Sequence, residues 1–209
     1  DFGLIVNPAG SPPVAAFTAS ATTICAGSSV NYTDQSTNTP TGWAWSFQGG
    51  SPNSSSAQHP SITYNTSGTY SVSLTATNTS GNDAENKMSY ITVLANPTVT
   101  LTPTNATCVS SNGSVTSSVS GGTSPYAYLW STGGTTSAIA NLAAANYTCT
   151  VTDNKGCVGT KTVTVGADAC GPTKLKATSC GITLSILQQQ LFCEYVPNAT
   201  NYGYRVSNS

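Results

Sequence analysis

Charge is what this chain has least of. Lys, Arg, Asp and Glu make up 6% of its 209 residues, against roughly 25% in ordinary globular proteins, and the net charge is −1. Such a balance provides no basic field for nucleic acid and no polybasic patch for anionic lipid. Histidine occurs once, at His59. That leaves no second imidazole for a zinc site or for a His-activated nucleophile, and the seven cysteines contain no C-x-x-C pair. Long apolar runs are missing too. The best, FGLIV at 2–6, has the length of a strand and not the 18 or so residues of a membrane span. The chain opens without an initiator Met or a signal peptide, and the expectation is a processed or excised piece.

Carboxylates are equally sparse. Asp1, Asp34, Asp83, Glu85, Asp153, Asp168 and Glu194 form no signature of the kind that hydrolysis or a hard metal needs. Asp83 and Glu85 share one face of a stretch, NTSGNDAENK, that reads as a loop. A solvated loop is the expectation there, with a weak Ca2+ contact as the alternative. Asp34 sits in the turn-forming TDQS and is expected to cap that turn with its side chain. His59, in AQHP, is expected to play a structural part in a turn. No cofactor is called for, and the expectation is a protein that is not an enzyme.

Ser, Thr, Asn and Gly supply the polarity instead, arranged in short alternating stretches. Trp43, Trp45 and Phe47 occupy alternate positions, and so do Tyr70, Val72, Leu74 and Ala76. Period-two alternation puts each set on one face of a strand. Val30 with Tyr32, Ile62 with Tyr64, and Ile91 with Val93 repeat the pattern, with turn signals about every ten residues. The same grammar returns in Tyr126, Tyr128 and Trp130, in Tyr147, Cys149 and Val151, and in Val163 and Val165, with DNKG at 153–156 as a hairpin turn. These features predict an all-β chain of tandem immunoglobulin-like β-sandwich domains. We divide it into an N-terminal strand and linker (1–13), a first sandwich (14–95), a second (97–166) and an incomplete segment (167–209).

The elements W-x-F-x-G-G, Q-H-P, Y-x-x-x-G-x-Y-x-V-x-L-x-A-x-N-x-x-G and Y-I-x-V of the first sandwich resemble a PKD domain, an immunoglobulin-like module of extracellular proteins. Many members carry an acidic W-D-F-G-D-G turn. Here WSFQGG stands in its place, so the carboxylates that such a turn would offer a cation are missing. In the second sandwich, N-G-S, S-G-G-x-S-P-Y-x-Y-x-W-S-x-G and L-x-A-x-x-Y-x-x-x-V-T-D-x-x-G-C resemble an SprB-type repeat, known from very large surface adhesins of Bacteroidetes. That resemblance implies a disulfide between Cys108 and Cys157. Cys149 stands where an apolar residue is usual and reads as a buried thiol. VPNATNYGYRVSN near the C-terminus resembles the opening half of a fibronectin/Ig-like domain.

Some 40 residues bury too little surface to fold unaided, so three readings of 167–209 stand. The chain is partial; or disulfides, such as Cys180–Cys193, staple a mini-domain; or a strand from a neighbouring subunit completes it. Phe2, Leu4 and Val6 of the N-terminal strand are the candidate donors, because an open sheet edge offers unpaired N–H and C=O groups. Repeated head to tail, that contact builds a fibre.

Sequons occur at Asn31, Asn53, Asn65, Asn78, Asn105, Asn112, Asn146 and Asn198, and surface glycans, N-linked or O-linked, would offset the shortage of charge. Trp43, at the mouth of its strand, is the candidate for stacking on a sugar. The expected function is therefore a non-enzymatic structural or adhesive part of an extracellular or cell-surface stalk, adhesin or filament. Its partners would be further copies or neighbouring domains of a longer chain. The rival reading is a carbohydrate-binding accessory region of a secreted polysaccharide-degrading enzyme. A third, a metal-dependent adhesion module, would show as Ca2+-dependent thermal stability.

Overall fold

Strands account for all the regular structure of the described residues in this computed structural model. It describes residues 10–107 and 110–168, together with the backbone of Lys174–Leu175 and Phe192–Cys193. The chain is all-β and is built of tandem immunoglobulin-like β-sandwiches. Two compact units are distinguished: Asp1–Leu101 with Ser117–Ser137 and Tyr147–Thr162, and Thr102–Thr116 with Ala138–Asn146 and Val163–Ser209.

The first unit begins with β1 (Phe17–Ala19), β2 (Thr23–Cys25), β3 (Ser28–Asp34), β4 (Gly42–Phe47), β5 (Ser54–Ser55), β6 (Ser61–Tyr64), β7 (Gly68–Asn78) and β8 (Gly81–Leu94). One sheet has the order β1-β3-β6 and the other β2-β8-β7-β4-β5. Phe17, Val30, Tyr32, Ile62 and Tyr64 from the first sheet meet Trp45, Phe47, Val72, Leu74, Ile91 and Val93 from the second in one buried core. Its centre is aromatic. Phe17 stands edge-on to Trp45 at 5.1 Å between centroids, Tyr32 lies 4.8 Å from Phe47, and Trp45 stacks on Phe47 at 5.6 Å. The hydroxyls of Tyr32 and Tyr64 share a 2.7 Å hydrogen bond, so neither polar tip is left unpaired where water is excluded.

One expectation fails here. The polar stretch read as a loop is a hairpin: β7 runs to Asn78, Thr79 and Ser80 turn, and β8 starts at Gly81 and runs 14 residues. Its first half lacks apolar alternation because its inward positions face backbone rather than core. Asp83 Oδ2 accepts the Ala15 amide at 2.8 Å and Glu85 Oε2 accepts the Phe17 amide at 3.0 Å. Lys87 Nζ donates to the Phe17 carbonyl, and the Tyr90 hydroxyl accepts the Ala19 amide at 3.1 Å.

A separate three-stranded sheet has β11 (Ala127–Trp130), β13 (Ala145–Thr152) and β14 (Val158–Val165) in the order β11-β13-β14. Trp130, opposite Cys149 in the register, is 2% exposed, and its indole N–H donates to the Thr136 carbonyl at 2.8 Å. Another sheet has β12 (Ala138–Leu142), β10 (Gly113–Ser120) and β9 (Thr98–Thr104) in that order. Asn105 then ties down the segment after β14, accepting the Gly166 amide at 3.1 Å and donating to Asp168 at 3.1 Å. A short parallel pair, β15 (Lys174–Leu175) and β16 (Phe192–Cys193), completes the described backbone.

Candidate functional site

The described residues contain no group of three or more His, Cys, Asp or Glu side chains placed to hold a metal ion, and no helix long and apolar enough to cross a membrane. The chemically distinctive places are three: a polar cluster around Asp34, the side-chain clamp on β1, and a covalent joint.

At the end of β3, Asp34 Oδ1 accepts the Ser36 amide at 3.0 Å, which caps the turn. Its Oδ2 accepts the Trp43 indole N–H at 2.7 Å and the Gln58 side-chain amide at 3.1 Å. Burial pushes this carboxyl up, but the hydrogen bonds from Ser36, Gln58 and Trp43 outweigh it and hold the group below its ordinary value. His59 accepts the Asp34 backbone amide on Nδ1 at 3.2 Å, a structural contact between two turns. Trp43 is half-buried and packs against the aromatic core. Its polar atom is committed to Asp34, so what it can present to a ligand is part of a ring face.

The clamp on β1 uses three of the chain's few charges. One edge of this strand region pairs with the β3 side, where Gln35 N–H donates to Ala16 O at 2.8 Å and Thr37 N–H to Val14 O at 3.0 Å. The other edge, which would otherwise be an open ladder, is filled by Asp83, Glu85, Lys87 and Tyr90. Lys87 also forms an ion pair with Glu85 at 3.6 Å, and its ammonium sits 4.5 Å from the Phe17 ring centroid. Asp83, which is exposed, and Glu85, part-exposed, thus each have a backbone partner as well.

The joint is made by a disulfide that sequence reasoning did not find. Cys157 bonds to Cys25, with 5.4 Å between their Cα atoms. This corrects the Cys108–Cys157 pairing. The reason lies in β2, which pairs in parallel with the last residues of β8 and sets Cys25 beside Leu94. There the chain leaves the first sandwich through Ala95, Asn96 and Pro97. Asn96 turns back and donates its side-chain amide to the Ala26 carbonyl at 3.0 Å. Pro97 packs against Gly159, where a Cβ would overlap the Pro97 carbonyl oxygen. The bend that presents Cys157 is organised by Asp153, 6% exposed. Its Oδ1 accepts the Lys155 and Cys157 amides, each at 2.8 Å, and its Oδ2 the Thr123 amide at 2.9 Å. Desolvation pushes this carboxyl up, but the amides of Cys157, Thr123, Lys155 and Gly156 prevail and hold it low. Cys149 is a free, buried thiol. Burial raises its pKa, which leaves it unreactive.

The sequons separate by what holds the side-chain nitrogen. Asn78 Nδ2 donates to Ser11 O at 3.0 Å and Asn38 O at 2.8 Å. Asn105 Nδ2 is held by Asp168 and Asn112 Nδ2 by Thr107. Asn31, Asn53, Asn65 and Asn146 are exposed. Phe2, Leu4, Val6, Cys108, Cys170, Cys180, Asn198 and the Cys193 side chain lie outside the described residues, as does most of segment 167–209.

Comparison with known proteins gives two family matches, to the PKD domain over residues 10–93 and to the SprB repeat over residues 100–135. No curated protein matches the chain. Among solved structures, a C-terminal fragment of intimin, in complex with the intimin-binding domain of its translocated receptor, is 13% identical with a TM-score of 0.44. The match covers 72% of this chain and 63% of that one, so the chain spans less than two thirds of the fragment. An I-band fragment of titin is 14% identical over 80% of this chain and 71% of its own, with a TM-score of 0.38. A carbohydrate-binding module of the β-sandwich superfamily is 17% identical over 68% and 56%, also with a TM-score of 0.38. The chain carries a PKD domain over 10–93, followed by an SprB repeat over 100–135.

Proposed function

We propose that this chain is a non-enzymatic structural or adhesive part of an extracellular, cell-surface assembly, a stalk, adhesin or filament in which consecutive β-sandwiches carry load. The observation that carries this reading is the Cys25–Cys157 bond between the PKD domain and the hairpin bend beyond the SprB repeat. Disulfides persist in oxidising compartments and outside the cell. One that ties the first sandwich to a bend 132 residues further on suits a protein whose work is to stay intact under load. A surface poor in charge and rich in Ser, Thr and Asn accords with hydration by hydroxyls, amides and attached glycans. Labelling intact source cells with an antibody to the chain, followed by electron microscopy, tests the reading. Label on the surface or on fibres is expected; label only after the cells are opened contradicts it.

The finer mechanism is strand exchange, with Phe2, Leu4 and Val6 of one copy completing a neighbour. The side-chain clamp favours it indirectly: Asp83, Glu85 and Tyr90 occupy the outer edge of β1, so the N-terminal strand finds no ladder there. Deleting residues 1–8 is expected to abolish polymerisation, and fibres that still form without them would exclude the exchange.

A further inference from the structure

We propose that the Cys25–Cys157 bond is a load bypass, which carries tension past the interior of the PKD domain and of the module that follows. The proposal deepens the load-bearing reading above and rests on it for its biological meaning. The mechanical property belongs to the isolated chain and is measured there, so each can fail without the other.

The bond joins residues separated by 132 positions. Tension that enters before Cys25 and leaves after Cys157 passes through the two sulfurs, and no residue from 26 to 156 lies on the covalent path between the points of load. Strands β3 to β8, which include most of the aromatic core of the first sandwich, all fall inside this loop, as do β9 to β13. Separating their hydrogen-bonded ladders would not lengthen the molecule while the bond is intact.

The described parts of the path that flank the bond are short and secured. On the N-terminal side the path holds β1 and β2. The β1 region is gripped from both edges, by the β3 side and by Asp83, Glu85, Lys87 and Tyr90. The anchor points of β1 on β8 are inside the loop, so the clamp connects a loaded strand to an unloaded body. On the C-terminal side the path holds β14, which lies beside β13 in its sheet. The joint itself is packed as well as bonded, through Asn96 to Ala26 and Pro97 to Gly159. The bond therefore keeps a contour of about 450 Å in reserve, at the ~3.3–3.6 Å per residue of extended chain.

Single-molecule pulling of the full chain, held by handles fused to its two ends, tests this. The chain carries Cys108→Ser, Cys170→Ser, Cys180→Ser and Cys193→Ser, so that no other bond shortens it. In oxidising buffer the final extension is expected to fall short of the full contour by about 450 Å. A dithiol reductant supplies two electrons and two protons, breaks the S–S bond to two thiols, and is expected to restore that length in the same molecules. Cys25→Ser combined with Cys157→Ser should show the full length without reductant. The oxidised chain alone decides the matter, even where a variant folds poorly. If it extends through its whole contour before any reductant is added, the bypass does not exist.

Discussion

Glu85 accepts the backbone amide of Phe17 at 3.0 Å, across 68 residues of sequence. The pair explains why a chain so poor in charge places Asp83, Glu85 and Lys87 on alternate residues of one strand. They complete the hydrogen bonding of β1, which no further strand among the described residues covers on that side, and they close an edge on which other chains could add. Phe17 is 1% exposed, so its amide has little water to fall back on. Glu85→Ala is expected to destabilise the chain by about 1.5–3 kcal/mol, the cost of leaving a buried donor without a charged acceptor. Glu85→Gln, which keeps an acceptor oxygen, should cost less. Urea unfolding measures both, and equal stability of Glu85→Ala and the parent would mean that the amide is satisfied otherwise.

Removing the disulfide should cost more. In the chain-entropy view, closing a loop of this length is worth about 5 kcal/mol, an upper figure that native-state strain and residual structure reduce. Unfolding midpoints with and without reductant, and in Cys25→Ser, are expected to shift in that direction. No shift would mean that the joint holds by packing at Asn96, Pro97 and Gly159 alone.

Acid should weaken the joint. The Asp153 carboxyl is depressed in the folded chain, because four backbone amides favour its charged form over the penalty of desolvation. A group with a lowered folded pKa contributes stability that is present above its unfolded value, about 3.9, and is lost as pH falls through the folded value. Asp34 acts in the same sense. Stability is therefore expected to decline below about pH 4. Asp153→Asn should be weaker at neutral pH, since its NH2 group would meet the Thr123 or the Cys157 amide, and its stability should depend less on acid. A variant with the same acid profile as the parent would assign the decline to other carboxylates.

Much of the first sandwich was legible in the sequence, because its core strands bury alternate residues. Trp45 and Phe47, Val72 and Leu74, and Ile91 and Val93 are all buried as period two requires. The first half of β8 was not legible. Asp83, Glu85 and Lys87 point inward, but toward backbone, so the polarity pattern that marks a half-buried strand was absent. The short β2 and β5 have too few residues for any period. The joint was hidden for another reason. Cys25 and Cys157 are brought together by the parallel pairing of β2 with β8 and by the Asp153 bend, and neither leaves a mark on cysteine spacing.

Any N-linked glycans are expected to follow the freedom of each asparagine. Asn78, Asn105 and Asn112 use their side-chain nitrogens to hold neighbouring segments, and a sugar there would break those bonds. Glycopeptide mass spectrometry should find occupancy at exposed Asn53 or Asn65 in preference to these three. Full occupancy at Asn78 would show that its bonds to Ser11 and Asn38 are dispensable.

One covalent bond, Cys25 to Cys157, carries the load path, and it can be read directly. Proteolysis of the unreduced chain, with free thiols blocked beforehand in denaturant, followed by mass spectrometry, is expected to yield a linked pair of peptides containing Cys25 and Cys157, and a blocked thiol at Cys149. A linked pair containing Cys108 and Cys157, with Cys25 blocked, would contradict the stapled joint and the load path built on it.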